Sequence, residues 1–204
     1  FEDGNMVSLL DEGWYSYTDE GNSGASTVSF LTDADGNWAA ASDGYESSYS
    51  LSLSYKLDKG NYEFDPYVGW GVNVPASVNM NAIGGLSYWY KGGKHTVRVE
   101  TSDITDFDVH SYTVNASYAN WKLVTVRFQD LMQEGWGIPV DFKKENITAI
   151  SFQAKGSSKV REDSLRIDYL YLMDTSEVAK DQPDMVIRAP EIPEVEIGDI
   201  AISN

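Results

Sequence analysis

The segment Trp121–Gly137 contains the residues with the clearest potential for ligand binding. Trp136 stands between Gly135 and Gly137, so little backbone bulk surrounds its indole, and Gln133 lies in the same loop. Sugar rings stack on exposed indole faces through their C–H patches, while side-chain amides bind hydroxyl groups in pairs. The segment therefore predicts a sugar-contacting loop, the alternative being that Trp136 folds back as a cap on the core.

A second candidate site combines Glu2 with Asp168. Asp168 alternates in phase with Leu170 and Leu172, which places its carboxylate on the buried face of a strand. A buried carboxylate needs a cation or several hydrogen-bond donors. If the first and last strands pair, Glu2 and Asp168 meet, and a calcium ion (Ca2+), which prefers oxygen ligands, would stabilise them. We predict a structural Ca2+ there, the alternative being a hydrogen-bonded Asp168 without metal.

Other ligand and catalytic motifs are weak or missing. Asp33-Ala-Asp-Gly-Asn37 has part of the spacing of a calcium loop, but it lacks the downstream glutamate and is predicted to be a plain turn. The sequence contains no cysteine, nucleophile elbow, phosphate loop or metalloprotease helix motif. With 32 Asp and Glu some carboxylate pair always exists, so such a pair does not indicate a glycosidase.

Only two histidines, His95 and His110, are available for base or metal chemistry. His110 lies in the segment Asp106-Phe-Asp-Val-His-Ser-Tyr112. It is either a donor to a ligand hydroxyl or a solvated or structural histidine. Neither histidine has a catalytic partner that the sequence suggests.

The charge of the chain limits its partners. Fifteen Lys and Arg against 32 Asp and Glu give a net charge of −17 over 204 residues. Such a surface repels phosphate backbones and anionic lipid, so nucleic acid and membrane are excluded as expected partners. An uncharged polysaccharide or a cation carries no such penalty. Because aromatic residues make up 13% of the chain, aromatics and carboxylates must provide the specificity.

The elements that position these residues are strands. Tyr49–Tyr55 alternates strictly between large apolar residues and serine. Four more segments share this period: Leu86–Lys91, Trp121–Phe128, Ile147–Ala154 and Leu165–Leu172. Short strands separated by Gly- and Asp-rich turns predict an all-β sandwich of jelly-roll, galactose-binding-like architecture.

After residue 173 the chain is acidic, contains Pro183, Pro190 and Pro193 and lacks aromatics. We therefore predict a module over 1–173 and a linker or strap over 174–204.

Several motifs, taken in order, resemble those of family 11 carbohydrate-binding modules, the β-jelly rolls appended to bacterial cellulases and lichenases. The resemblance covers roughly residues 1–173, and related hemicellulase modules share much of it. It rests on Phe1-Glu-Asp-Gly4, Trp14 with Tyr17, Tyr67-Val-Gly-Trp-Gly71, Val109–Val114, Trp121–Phe128 and Leu165–Leu172.

The resemblance implies a concave cleft for one β-glucan chain, with calcium as a structural ion. It places Tyr17, Asp106, Gln133 and Trp136 at the cleft, with Asp106 ahead of the strand that holds His110. The family can carry cleft tyrosines where this sequence has Gly69 and Ala154. Stacking is therefore expected on Trp136 and Tyr67 instead, the alternative being a different ligand. Gln153 shares a sheet face with Ser151, opposite the core residue Phe152, and is an added candidate contact.

Together these expectations describe a secreted or cell-surface, non-catalytic module. It would bind mixed-linkage β-1,3-1,4-glucan or cellulosic β-1,4-glucan, including cello-oligosaccharides, and target an attached glycoside hydrolase to the plant cell wall. The alternatives are a structural or adhesion sandwich of a cell-surface protein and a catalytic jelly-roll glycosidase or lyase.

Overall fold

The computed structural model describes residues 12–180. The regular secondary structure of this part of the chain is mostly strand, as the alternating sequence predicts. Its elements are β1 (Trp14–Thr18), β2 (Thr27–Phe30), β3 (Leu51–Leu57), β4 (Tyr67–Asn73), β5 (Ile83–Gly92), β6 (His95–Thr101), β7 (His110–Val114), β8 (Ser117–Arg127), β9 (Ile147–Lys155), β10 (Arg161–Asp174) and the short helix α1 (Thr175–Lys180).

The strands form two antiparallel five-stranded sheets. The first sheet has the order β1-β4-β9-β6-β7, and the second sheet has the order β2-β3-β10-β5-β8. Neighbours in each sheet are mostly far apart in sequence, so long-range pairing determines which side chains meet. The all-β sandwich predicted from the sequence is confirmed.

The core lies between the two sheets and follows the period of two. Leu51, Leu53 and Tyr55 of β3 are buried, as the strict alternation predicts. Trp70 of β4 and Phe152 of β9 stack in the core with ring centroids 6.0 Å apart. Residues between these core positions on the first sheet point to its opposite face, which carries the site described below.

The chain continues regularly past the predicted module boundary at residue 173. β10 ends at Asp174, and α1 follows and packs against β5 and β10. The remainder of the predicted 174–204 strap, from residue 181 onward, lies outside the described residues. No helix within residues 12–180 is both long and apolar enough to cross a membrane.

Candidate functional site

A cleft of about 1530 Å³ runs over the outward face of the first sheet. Strand register brings its floor together in two rows, because directly paired residues share a face. The first row is Tyr17, Gly69, Gln153, Thr96 and Thr113, and the second row is Tyr15, Gly71, Ser151, Arg98 and Ser111.

Two glycines of β4 make room for two tyrosine rings of β1. A Cβ at Gly69 would lie 2.0 Å from Tyr17 Cζ, and a Cβ at Gly71 would lie 2.8 Å from Tyr15 Oη. The tyrosines therefore lie across the glycines as part of the floor. Ala154 is fully buried and belongs to the core, so the cleft lies away from this position.

Hydroxyl groups of the floor can act as hydrogen-bond donors. Burial is the main cause that raises the pKa of Tyr15, and the carboxylate of Glu100 raises it further. Burial likewise raises the pKa of Tyr17, whose Oη is buried without a hydrogen-bond partner in the described structure. Both phenols therefore stay protonated at neutral pH and keep their O–H donors.

Gln153 and Arg98 complete the polar part of the floor. Arg98 Nη1 donates to Gln153 Oε1 over 3.4 Å, and Arg98 Nη2 donates to the carbonyl of Phe107 over 3.0 Å. Both side chains are more than nine-tenths buried. The amide of Gln153 thus lies in the cleft, where the sequence predicts it.

One side of the cleft is an aromatic wall made of Tyr62, Phe64 and Tyr67, here named the tyrosine wall. Tyr62 packs edge-on against Phe64 and Tyr67, with centroids 5.7 Å and 5.9 Å apart, and Tyr67 lies 6.1 Å from Tyr17. The buried Asp19 positions this wall because its carboxylate accepts from Tyr67 N. Tyr67 thus lines the cleft, at the place where the sequence predicts a stacking residue.

The opposite side carries Trp136, which is 60% exposed and lines the cleft. It belongs to the tryptophan loop, defined as residues 133–140. The buried carboxylate of Asp108 accepts hydrogen bonds of 2.9 Å from the backbone N–H groups of Glu134, Gly135 and Gly137. Burial by itself would raise the pKa of Asp108. The backbone donors outweigh burial, so the pKa of Asp108 lies below its usual range. Asp108 is thus an ionised anchor that presents the indole.

Gln133 and Asp106 stabilise the tryptophan loop, because the polar groups of their side chains form hydrogen bonds with its backbone and with Asp108. Gln133 Nε2 donates to the carbonyls of Asp108 and Ile138, and its Oε1 accepts from Val140 N. Asp106 accepts from the backbone N–H groups of Asp108 and Ile138. The expectation that they contact sugar directly does not match this geometry, since their polar groups hold the loop that presents Trp136.

His110 lies away from the cleft. It pairs with the core residue Val99 and is 7% exposed, and its ring packs edge-on against Phe142 at 5.0 Å. Burial is the main cause that lowers the pKa of His110. The expectation that it binds a sugar hydroxyl therefore does not fit, because β6–β7 register turns the ring inward.

Several cleft residues were missed by sequence reasoning. Tyr15 alternates with Tyr17, so a period of two could have signalled it. Tyr62, Phe64 and Phe107 lie in loops, where no periodicity marks them. Arg98 lies between the core residues Val97 and Val99 of β6 and therefore on the opposite face of the strand. Its register with Ser151 places it on the cleft.

Asp168 lies on the second sheet, and hydrogen bonds satisfy its carboxylate. Oδ2 accepts from Tyr45 N at 2.8 Å and from Ser47 Oγ at 2.5 Å, while Oδ1 accepts from Tyr169 N at 2.7 Å. A β-bulge follows, with Tyr169 at φ +48°, so Asp168 does not share the phase of Leu170. The donors around Asp168 fit the metal-free alternative better than a cation.

Glu2, the other predicted calcium ligand, lies outside the described residues, so a Ca2+ between Glu2 and Asp168 stays a prediction. Within residues 12–180 no group of three or more His, Cys, Asp or Glu could hold a metal ion. The Asp33 segment is a hydrogen-bonded turn in which Asp33 Oδ1 accepts from Asp35 N and Asn37 N. The plain turn predicted there is confirmed.

Comparison with known proteins places this geometry in a class. No model of a known protein family matches the chain. Endoglucanase 3 of Fibrobacter succinogenes is 48% identical over 204 residues, which is 100% of this chain and 31% of that protein. The chain therefore spans less than a third of this curated relative.

Two solved structures share the fold. The family 11 carbohydrate-binding module of the cellulosomal cellulase Lic26A-Cel5E of Clostridium thermocellum is 15% identical, with a TM-score of 0.51 over 79% of this chain and 87% of that one. A family 11 module from the same organism, in complex with a β-1,3-1,4-mixed-linked tetrasaccharide, is 15% identical, with a TM-score of 0.53 over 82% and 90%.

The chain thus has the β-sandwich fold of carbohydrate-binding modules. Within that class it resembles family 11, and the resemblance predicted from the sequence motifs is confirmed at the level of fold.

Proposed function

We propose that this chain is a non-catalytic carbohydrate-binding module that binds a single β-glucan chain in the cleft. The observation that carries the proposal is the lining of the cleft. Aromatic rings stand on both sides of a floor of hydroxyl, amide and guanidinium groups. Sugar rings present apolar C–H faces and polar hydroxyl edges, which complement rings and donors arranged in this way.

The charge of the cleft favours an uncharged ligand. Its lining contains four cationic residues, Lys59, Lys94, Arg98 and Lys155, and four acidic residues, Glu63, Asp65, Glu100 and Glu134. The cleft is therefore formally neutral in a chain of net charge −17. A neutral polysaccharide avoids the repulsion that nucleic acid or another polyanion would meet on the rest of the surface.

The bonding of two cleft carboxylates supports binding rather than hydrolysis. Glu134 forms an ion pair with Lys155, and Glu100 accepts a hydrogen bond from Ser151 Oγ. A glycosidase needs one carboxyl group that stays protonated until it protonates the leaving group. Glu134 and Glu100 are instead already held by Lys155 and Ser151.

The relatives support the ligand class and the context. A family 11 module binds a mixed-linked tetrasaccharide, and the 48% identical relative is an endoglucanase more than three times longer than this chain. We propose mixed-linkage β-1,3-1,4-glucan or cellulosic β-1,4-glucan as the ligand and an attached glycoside hydrolase as the covalent partner. The module would then act outside a bacterial cell, at the plant cell wall.

Affinity electrophoresis tests the proposal directly. Barley β-glucan or hydroxyethylcellulose in the gel should retard the protein, whereas gels without polysaccharide should not, and no reducing sugar should be released on incubation. Trp136→Ala should weaken the retardation, and Tyr171→Ala, at a 49% exposed ring of the second sheet, is the matched control. Lack of retardation by every glucan would favour the structural sandwich, and released sugar would favour the enzyme.

A further inference from the structure

Phe107 has a backbone conformation that bulky residues rarely adopt. Its φ is +67°, in the left-handed region that favours glycine. Its ring is 76% exposed, so core packing does not compensate for the strain. The residue lines the cleft, and it directly precedes Asp108, which anchors the loop of Trp136. A strained and exposed phenylalanine at a ligand cleft indicates a role in binding.

The neighbours of Phe107 hold it in this conformation. Arg98 Nη2 donates to the Phe107 carbonyl over 3.0 Å, and Asp106 Oδ1 accepts from Asp108 N over 3.1 Å. Because Asp108 is 2% exposed and bonded to the tryptophan loop, the chain immediately after Phe107 is fixed as well. The ring is therefore presented to the cleft by rigid surroundings.

Asp108 links the two exposed rings of this side. Phe107 precedes it in the chain, and Trp136 lies between Gly135 and Gly137, whose N–H groups both donate to Asp108 Oδ2. The contact is close, since a Cβ at Gly137 would lie 2.5 Å from Asp108 Cβ. One buried residue thus links both rings, since its carboxylate holds the loop of Trp136 and its backbone N–H fixes the chain after Phe107.

We infer that Phe107 is a second sugar-stacking ring beside Trp136 and that Asp108 is the positioning residue for both. The inference rests on the proposed function. It deepens that function by defining this side of the cleft as a preorganised pair of rings, which contacts the C–H faces of the bound chain. Preorganisation favours affinity because less ordering is needed on binding.

Phe107→Gly separates a binding role from a structural one. Glycine accepts a positive φ without strain, so the melting temperature should stay equal or rise, while the loss of the ring should weaken binding. Isothermal titration calorimetry with a mixed-linkage β-glucan oligosaccharide should show affinity reduced by about fivefold or more. Tyr171→Ala should bind like the unmodified protein.

The outcome separates this inference from the proposed function. If the unmodified protein binds glucan and Phe107→Gly binds equally well, the role of Phe107 is wrong and the proposed function stands. If the unmodified protein binds no glucan, the proposed function fails and the inference fails with it.

A double-mutant cycle tests the positioning role of Asp108. Asp108→Asn should weaken binding in the native background, yet have no further effect once Phe107→Ala and Trp136→Ala are both present. An equal loss in both backgrounds would mean that Asp108 acts on the ligand by another route. If Asp108→Asn does not fold, Gly137→Ala replaces it in the double-mutant cycle, because an added Cβ at Gly137 would disturb the contact of the tryptophan loop with Asp108.

Discussion

The ring of Tyr17 occupies the space that a side chain at Gly69 would need, since a Cβ there would lie 2.0 Å from Tyr17 Cζ. The two residues are directly paired between β1 and β4. A glycine on β4, beside the edge strand β1, is therefore what leaves room for the tyrosine ring in the floor of the cleft.

Gly69→Ala should displace Tyr17 and weaken glucan binding. Overpacking of this kind typically costs about 1–3 kcal/mol of stability as well. Calorimetry and thermal melting measure the two effects. Gly13→Ala is the control, because a Cβ at Gly13 would have no atom within 4 Å. Native affinity in Gly69→Ala would show that the position of Tyr17 does not matter for the ligand.

Gln133→Ala should act on the loop rather than on the ligand. The substitution removes the partner of Val140 N and of two backbone carbonyls at part-buried or exposed positions. Such a hydrogen bond contributes about 0.5–1.5 kcal/mol. We expect a lower melting temperature together with weaker binding, and faster hydrogen exchange at residues 133–140. Weaker binding with unchanged exchange and stability would instead support the direct sugar contact predicted from the sequence.

His95 should make the fold less stable as the pH falls. Burial is the main cause that lowers its pKa from 6.5 to about 4, against an opposing contribution from the Gly93 carbonyl. Between these values the unfolded chain binds a proton that the folded chain does not, so the free energy of unfolding decreases from pH 6.5 towards pH 4. The loss amounts to at most about 3 kcal/mol. Burial of His110 acts in the same direction.

Chemical denaturation at several pH values measures this slope. His95→Gln should flatten it, even if the variant is less stable at pH 7, because the titrating group is gone. If Nδ1 donates to the Gly93 carbonyl, Nε2 of the neutral ring accepts from Tyr88 Oη in the 2.7 Å hydrogen bond between these atoms. An unchanged slope in His95→Gln would assign the pH dependence to other groups.

Asp168→Asn should destabilise the fold whether or not calcium is present. Asparagine has one acceptor oxygen in place of two, so at least one of the donors Tyr45 N, Ser47 Oγ and Tyr169 N loses its acceptor. An unsatisfied buried donor costs about 1–3 kcal/mol. Thermal melting in calcium and in chelator is the measurement. A melting temperature that rises with calcium in the native protein but not in Asp168→Asn would instead support the predicted ion between Glu2 and Asp168.

The strict alternation of Leu51, Leu53 and Tyr55 made a half-buried strand predictable, because one face of a sandwich must be apolar. The glycines around Trp136 likewise indicated an accessible indole. These are local signals, which depend only on neighbouring residues.

The rest of the site depends on pairing between distant strands. Asp108 anchors residues 26 to 29 positions away, and no local pattern shows which N–H groups it meets. The inward position of His110 follows from β6–β7 register, and the phase of Asp168 is broken by a bulge. Register and bulges are set by tertiary packing, so these three assignments required the structure.

The most direct test of the central claim is titration of Trp136→Ala with mixed-linkage β-glucan, alongside the native protein. A stacked indole removes apolar surface from water on both partners, whereas a hydrogen bond to a sugar replaces one to water. We expect affinity to fall about tenfold or more with little change in melting temperature, since the ring is 60% exposed. Native affinity in a Trp136→Ala protein that has lost thermal stability would contradict the account and make the indole a core cap.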